Sequence, residues 1–266
     1  MKQRILVICT ALAIVSLTSF AYANWNNTTG VQKEVACSQE VIYDGNYADI
    51  FNKQPNLDLV YKVESRFMTT ITKEKLHNAR SVIDIFPKEE TDRMESYDHV
   101  TVAILRGGKE IAQFGQDDKL TKEQLELLQS ADYSTNFFVR SNCKIATATG
   151  RMYDYDLVYY MTVVPEVQAE FAYGQEALID YLKSSLEEKA SIITADKLKP
   201  GRVNFTVTKD GTITDVELES TSGFTLVDDE LIESITNMPT IWIPATNSKG
   251  KKVAQEFVFF FGLQGC

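Results

Sequence analysis

The stretch RVNFTVTKDGTITDVELES, residues 202–220, predicts a β-hairpin. In its first half, valine and phenylalanine alternate with polar residues, which is the two-residue period of a strand with one solvent-exposed face. Asp210 and Gly211 then favour a primed turn, because both residue types accept positive φ. In the second half the apolar positions shift by one residue at Thr214 and Asp215, which predicts a β-bulge.

Helices are predicted on both sides of this hairpin. Residues 176–189 place three leucines at four-residue spacing, which gives the helix one apolar side. Residues 228–238 begin with three acidic side chains that suit the positive end of a helix dipole, and Pro239 ends the helix. Helices of this kind cover one face of a sheet.

A last strand is predicted over residues 253–261, where Phe257, Phe259 and Phe261 share one face. We therefore predict an α+β protein of two small domains. Its C-terminal domain, residues 166–266, is expected to be a three-stranded antiparallel sheet with helices on one face.

Residues 166–266 resemble the C-terminal domain of TonB-type energy transducers. The resemblance lies in the order of the elements and in Met238-Pro239 followed by Trp242, Pro244 and Ala245, which match the Met-Pro and Trp-x-Pro-Ala of one variety of that family. It implies a periplasmic module that docks on outer-membrane receptors by pairing a sheet edge with an extended receptor segment. We expect Trp242 to cover the end of the sheet.

The last strand is the predicted docking edge, because the main-chain groups of an edge strand are free to pair with another chain. The candidate contact residues are Lys252, Val253, Gln255, Phe257 and Phe259. The polar residues among them have two interpretations, as guards against unwanted pairing or as contacts at the rim of a partner. The phenylalanine rings are expected in the core.

The first 23 residues predict a secretion signal. Lys2 and Arg4 precede an apolar run over residues 5–20, and an Ala-Tyr-Ala site ends at Ala23, so that cleavage leaves Asn24 first. The run is shorter than the ~20 apolar residues of a membrane span. Cleavage and a periplasmic or secreted location are therefore favoured, and a retained inner-membrane anchor is the alternative.

The charge of the chain excludes several partners. Removal of Lys2 and Arg4 with the signal leaves 25 of the 27 basic side chains against 37 acidic ones, a net charge of −12. Such a surface repels phosphate backbones and anionic lipid, so neither nucleic acid nor a membrane surface is an expected partner. No small-molecule substrate, cofactor or metal is predicted.

The N-terminal half predicts a separate α+β domain over residues 57–165, preceded by a loosely ordered lead-in over residues 24–56. Thr121 and Gln124 have the spacing of a helix capping box. Residues 81–86 predict a strand, because they are rich in valine, isoleucine and phenylalanine.

Three cysteines remain after signal cleavage, namely Cys37, Cys143 and Cys266. In an exported protein two of them can pair, and the spacing alone does not select among the three pairings. We favour Cys37 with Cys143, because both lie in the proposed N-terminal region and Cys266 is the chain terminus.

The side-chain inventory argues against an enzyme. The chain has two histidines, His77 and His99, which leave almost no material for a histidine-based triad or for a multi-histidine metal site. Two carboxylate pairs, Asp154 with Asp156 and residues 228–229, are interpreted as solvent-facing positions and as partners of a helix dipole. A hydrolase is the weakest hypothesis.

The prolines separate the two remaining hypotheses. A classical transducer crosses the periplasm with a long proline-rich segment, whereas this chain has six scattered prolines. We therefore expect an exported, non-catalytic protein that binds a protein partner, such as an outer-membrane receptor, by strand addition. A membrane-anchored energy transducer is the alternative.

Overall fold

The computed structural model describes residues 57–92, 94–146, 150–239 and 241–263. They belong to one compact unit, Val41–Cys266. The fold is mixed α+β, as predicted. The predicted signal with its cleavage site at Ala23 and Asn24, the predicted lead-in over residues 24–56, and Cys37 and Cys266 lie outside the described residues. No helix in the described ranges is both long and apolar enough to span a membrane.

The strands and helices follow one another along the chain in this order: β1 (Leu59–Glu64), β2 (Thr70–Thr72), α1 (Lys73–Asn78), α2 (Lys88–Thr91), β3 (Met94–Arg106), β4 (Lys109–Phe114), α3 (Lys122–Gln129), β5 (Asn136–Ala146), β6 (Met152–Val164), β7 (Glu170–Phe171), α4 (Gly174–Leu186), β8 (Gly201–Val207), β9 (Ile213–Ser220), α5 (Thr225–Thr236), β10 (Trp242–Ile243), β11 (Ala245–Thr246), β12 (Lys252–Val253) and β13 (Gln255–Leu263).

The first larger sheet has five strands in the order β2-β6-β5-β3-β4. Its pairs are antiparallel except for β2, which runs parallel to β6. Helices α1 and α3 pack beside it over one apolar core. The largest fully buried side chains of this core are Leu76, Phe86, Ile104, Leu128, Phe137 and Met161.

The capping box predicted for α3 is present. The Thr121 hydroxyl accepts a hydrogen bond from the Gln124 amide at 3.2 Å, and the Gln124 side-chain oxygen accepts one from the Thr121 amide at 2.9 Å. The buried Gln124 amide group also donates to the carbonyl oxygen of Val100 at 3.0 Å. One side chain therefore both begins the helix and joins it to β3.

The strand predicted over residues 81–86 is wrong. The chain instead forms a short 3-10 turn, Val82–Asp84, with a capping box in which the Asp84 carboxylate accepts from the Ser81 amide at 3.0 Å. Val82, Ile85 and Phe86 are buried in the core. Capping by Ser81 and Asp84 outweighs the strand propensity of these apolar residues.

The second larger sheet has four antiparallel strands in the order β1-β13-β8-β9, where the sequence predicts three. The additional strand, β1, comes from the region assigned to the N-terminal domain. It places Leu59, Tyr61 and Val63 at alternate positions, and the ring of Tyr61 lies 5.3 Å from that of Phe261. β1 therefore extends the apolar face of the C-terminal sheet. Its pairing partner lies almost at the other end of the chain, so no local pattern indicates it.

The hairpin of β8 and β9 is present with a different turn. Positive φ falls on Gly211, at 81°, and not on Asp210. The loop has three residues with a left-handed glycine at its end, which is a common alternative to the primed two-residue turn. A Cβ at Gly211 would lie 2.5 Å from the carbonyl oxygen of Trp242, so glycine is also required by close packing.

The predicted bulge in β9 is present. The four residues from Thr214 to Glu217 of β9 stand opposite the three residues 204–206 of β8, and Asp215 has a φ of 54°. A second register shift follows near Leu218. Two bulges in eight residues twist this strand away from the regular ladder.

Both predicted helices cover the second sheet. The three leucines of α4, Leu178, Leu182 and Leu186, are buried, and α4 lies against β1. Helix α5 begins at Thr225, upstream of its acidic residues, and packs against β8 and β9. The apolar stripes therefore face the sheet, as their spacing predicts.

Candidate protein-docking edges

The predicted docking strand, β13, is an interior strand. It pairs with β1 on one side, from Leu59 opposite Leu263 to Glu64 opposite Val258, and with β8 on the other. The free edge predicted there is therefore wrong. The physical reason is that β1 occupies the position at which a partner strand would add.

The five candidate contact residues differ in exposure. Lys252 is exposed and Val253 half-buried, and both lie in the short strand β12, which pairs with β11. Gln255, Phe257 and Phe259 are buried. The structure thus brings three of the five together in the core, and none of these three offers its side chain to a partner.

Gln255 closes the end of β13. Its side-chain oxygen accepts a hydrogen bond from the Ala169 amide at 2.8 Å, and its side-chain nitrogen donates to the Gln168 side-chain oxygen at 2.9 Å. The next amide, of Glu256, donates to the Ser134 hydroxyl at 2.9 Å. Polar groups of the chain itself therefore occupy the start of β13, which β1 does not reach.

Trp242 lies in an aromatic cluster at the end of the sheet. Its ring is 5.5 Å from those of Phe171 and Phe257 and 5.9 Å from that of Phe205. Pro244 is half-buried beside it, with its Cγ 3.7 Å from where a Cβ of Gly211 would stand. Trp242 therefore packs within the core, and Pro244 lies close to Gly211.

The two borders of this sheet are β1 and β9, and β1 is partly covered. The Gln175 side chain donates to the Val63 carbonyl oxygen at 2.9 Å, and the Lys183 ammonium lies 5.6 Å from the ring of Tyr61. In the described part of the chain, no strand pairs with the outer side of β9. β9 is therefore the more open border.

The hydrogen-bond alternation shows which groups of β9 face outward. The Glu256 amide donates to Ser134 and so points away from β8. Glu256 and Thr206, which stand opposite each other, therefore exchange no main-chain bond, and the Thr206 amide points toward β9. Two residues earlier, the Asn204 amide points the same way. Glu217 stands opposite Asn204 and so faces inward. The main-chain groups of Leu218 consequently face solvent.

The open border is acidic. Asp215 and Glu217 are exposed on β9, and Glu219 forms an ion pair with Arg66. Half-buried Glu256 lies near these groups. Burial raises the pKa of Glu256 above its ordinary value; the carboxylates of Glu219, Asp215 and Glu217 raise this pKa too, whereas Arg66 lowers it.

Glu256→Gln is expected to stabilise the fold at neutral pH. An acid whose pKa is raised by folding favours the folded state only while it is protonated. This contribution is fully present below the ordinary glutamate pKa and is lost as the pH rises through the higher folded value. Chemical denaturation across that window should show a smaller pH dependence for Glu256→Gln than for the wild type. Equal slopes for the two proteins would contradict the assignment, and Glu188→Gln, at an exposed site, is the control.

The candidate catalytic groups do not converge. Asp156 is hydrogen-bonded to Asn142, and Nε2 of His77 lies 3.0 Å from the carbonyl oxygen of Ala131. A groove of ≈ 480 Å³ at the end of β13 has Glu64 and Glu170 as its ionisable lining residues. Among the described residues no acidic, cysteine and histidine side chains cluster as metal ligands would.

Cys143 is buried in β5, where its thiol donates to the Ser141 carbonyl oxygen at 3.7 Å. Burial raises the pKa of this thiol. A raised pKa disfavours the reactive thiolate. Its pairing with Cys37 stays a prediction, since Cys37 is outside the described residues.

Sequence reasoning missed β1 as a member of the C-terminal sheet. The alternation in Leu59–Glu64, LVYKVE, indicates a strand but not the strand with which it pairs. Comparison of the chain with models of protein families, with curated proteins and with solved structures finds no match.

Proposed function

We propose that this chain is an exported, non-catalytic protein-binding module that takes up an extended segment of a partner protein by strand addition to its C-terminal sheet. The observation that carries the proposal is the outer side of β9, whose main-chain groups at Leu218 face solvent without a neighbouring strand in the described ranges. An unpaired edge of this kind is a template for a further strand.

The interior position of β13 supports the same mode of binding. β1 reaches this sheet from a distant part of the chain and is held by six residue pairs. The ring of Tyr61 on β1 lies 6.4 Å from that of Phe259 and 5.3 Å from that of Phe261 on β13. The sheet thus accepts an added strand on one side, and β9 offers the corresponding position on the other.

The charge of β9 selects the partner. Asp215 and Glu217 repel an acidic strand and are paired best by lysine or arginine side chains across the edge. Bulges and charges also guard edges against indiscriminate pairing. The partner segment is therefore extended and basic, and the resemblance of residues 166–266 to TonB C-terminal domains favours an outer-membrane receptor as the protein that carries it.

A photo-crosslinking amino acid at Thr214 is expected to capture this partner in cells that export the protein. Leu218→Pro should abolish the adduct, because proline removes the outward N–H that the added strand requires. Leu218→Ala keeps the N–H and should keep the adduct. The readout is the adduct in each variant, with the crosslinked partner peptide sequenced by mass spectrometry.

The same crosslinker at exposed Leu226 on α5 is the site control. Adducts that survive Leu218→Pro, or that form equally at Leu226, would contradict docking at β9. A captured peptide that is acidic would contradict the charge selection.

A further inference from the structure

The strand β4 forms one border of the five-stranded sheet, and its open side follows from one hydrogen bond. The Gly115 amide donates to the Val100 carbonyl oxygen at 2.7 Å, so Phe114, opposite Thr101, makes no main-chain bond to β3. By alternation, the main-chain groups of Glu110, Ala112 and Phe114 all face outward.

This border is less guarded than that of β9. Its six residue pairs with β3 follow one another without a register shift. Ile111 and Phe114 are 44% and 71% exposed. A regular, exposed apolar edge is a template for pairing with another chain, so β4 is open to a partner strand along its whole length.

We propose that β4 pairs antiparallel with β4 of a second copy of this chain, about a two-fold axis at Ala112. The three outward residues lie symmetrically about that position. Ala112 then faces Ala112 of the second copy, and Glu110 faces Phe114. All outward N–H and C=O groups are satisfied in this register, and the two sheets become one continuous sheet of ten strands.

Charge complementarity favours a second copy over another partner. In this register the start of β4 lies beside the loop that follows β4 in the second copy. Exposed Lys109 thus approaches exposed Asp117, and the contact is made twice by symmetry. The chain as a whole carries a net charge of −10, so this balanced border is where two copies meet without repulsion.

Ala112→Pro tests the geometry. The variant loses one outward N–H and keeps every main-chain bond to β3, so its circular dichroism should match that of the wild type. Sedimentation equilibrium of the mature protein should show a dimer for the wild type and for Ala112→Val, which keeps the N–H. Ala112→Pro should raise the dimer dissociation constant by about a hundredfold, because the central pair of bonds is lost.

A charge exchange tests the register. Lys109→Glu and Asp117→Lys should each raise the dissociation constant by about tenfold, since each change acts twice across the axis. The double variant places opposite charges together again and should restore dimerisation. Leu226→Lys, on α5, should have no effect.

A monomeric wild-type protein would overturn the proposal, as would an Ala112→Pro variant that dimerises like the wild type. Failure of the double charge variant to recover would overturn the register. The proposal concerns the five-stranded sheet and stands whether or not β9 binds a partner.

Discussion

Phe259→Ala is expected to lower the free energy of unfolding by about 3–5 kcal/mol, the range for loss of a buried aromatic ring. The Phe259 side chain is fully buried in the interior strand β13. Its ring lies 6.4 Å from that of Tyr61 on the neighbouring strand β1. The sequence predicts that this ring lies in the core and that the main chain of its strand binds a partner, so the experiment separates a core role of the ring from a binding role. Equilibrium denaturation with urea provides the measurement.

The control is Tyr173→Ala, which removes an aromatic ring of similar size that is 73% exposed. It should change the unfolding free energy by less than about 0.5 kcal/mol. A Phe259→Ala protein of near wild-type stability that no longer forms the Thr214 crosslink would show that the ring serves binding instead.

Asp228→Ala is expected to destabilise the fold by about 2–3 kcal/mol, because two hydrogen bonds to a charged acceptor are lost. The buried Asp228 carboxylate accepts from the Ser222 amide at 2.8 Å and from the Thr221 hydroxyl at 2.5 Å. It therefore holds the chain between β9 and α5. A change of this size is visible in thermal and in urea denaturation.

Asp229→Ala is the matched control, since Asp229 is the adjacent, exposed residue of the same helix turn. Its loss should cost less than about 1 kcal/mol, the size of a helix-dipole contribution at the surface. Equal effects of the two variants would mean that Asp228 acts through the dipole alone, as the sequence predicts for both residues.

These two variants also bear on the question of catalysis. Two of the four carboxylates considered from sequence as acid–base candidates are engaged in hydrogen bonds within the chain, Asp228 with Ser222 and Asp156 with Asn142. The docking function proposed here requires neither to move.

Local sequence patterns predicted the elements whose causes are local. The hairpin of β8 and β9, the bulge at Asp215 and the capping box of Thr121 each depend on residues a few positions apart. The residues that form each of them lie within one short segment, and so the sequence of that segment was sufficient to predict it. The 3-10 turn at Val82 was missed because two local signals, capping and strand propensity, compete there.

The amino-acid sequence by itself determined the α+β class, the positions of α3, α4 and α5 and the residues of their apolar faces, because short-range periodicity encodes burial. Only the tertiary structure decided which strand lies at a border. β1 joins β13 through main-chain bonds that carry no side-chain signature, and Gln255 closes that strand through contacts with a distant segment. Main-chain pairing is indifferent to residue type, and so the docking edges of this protein could be located only once the strand order was known.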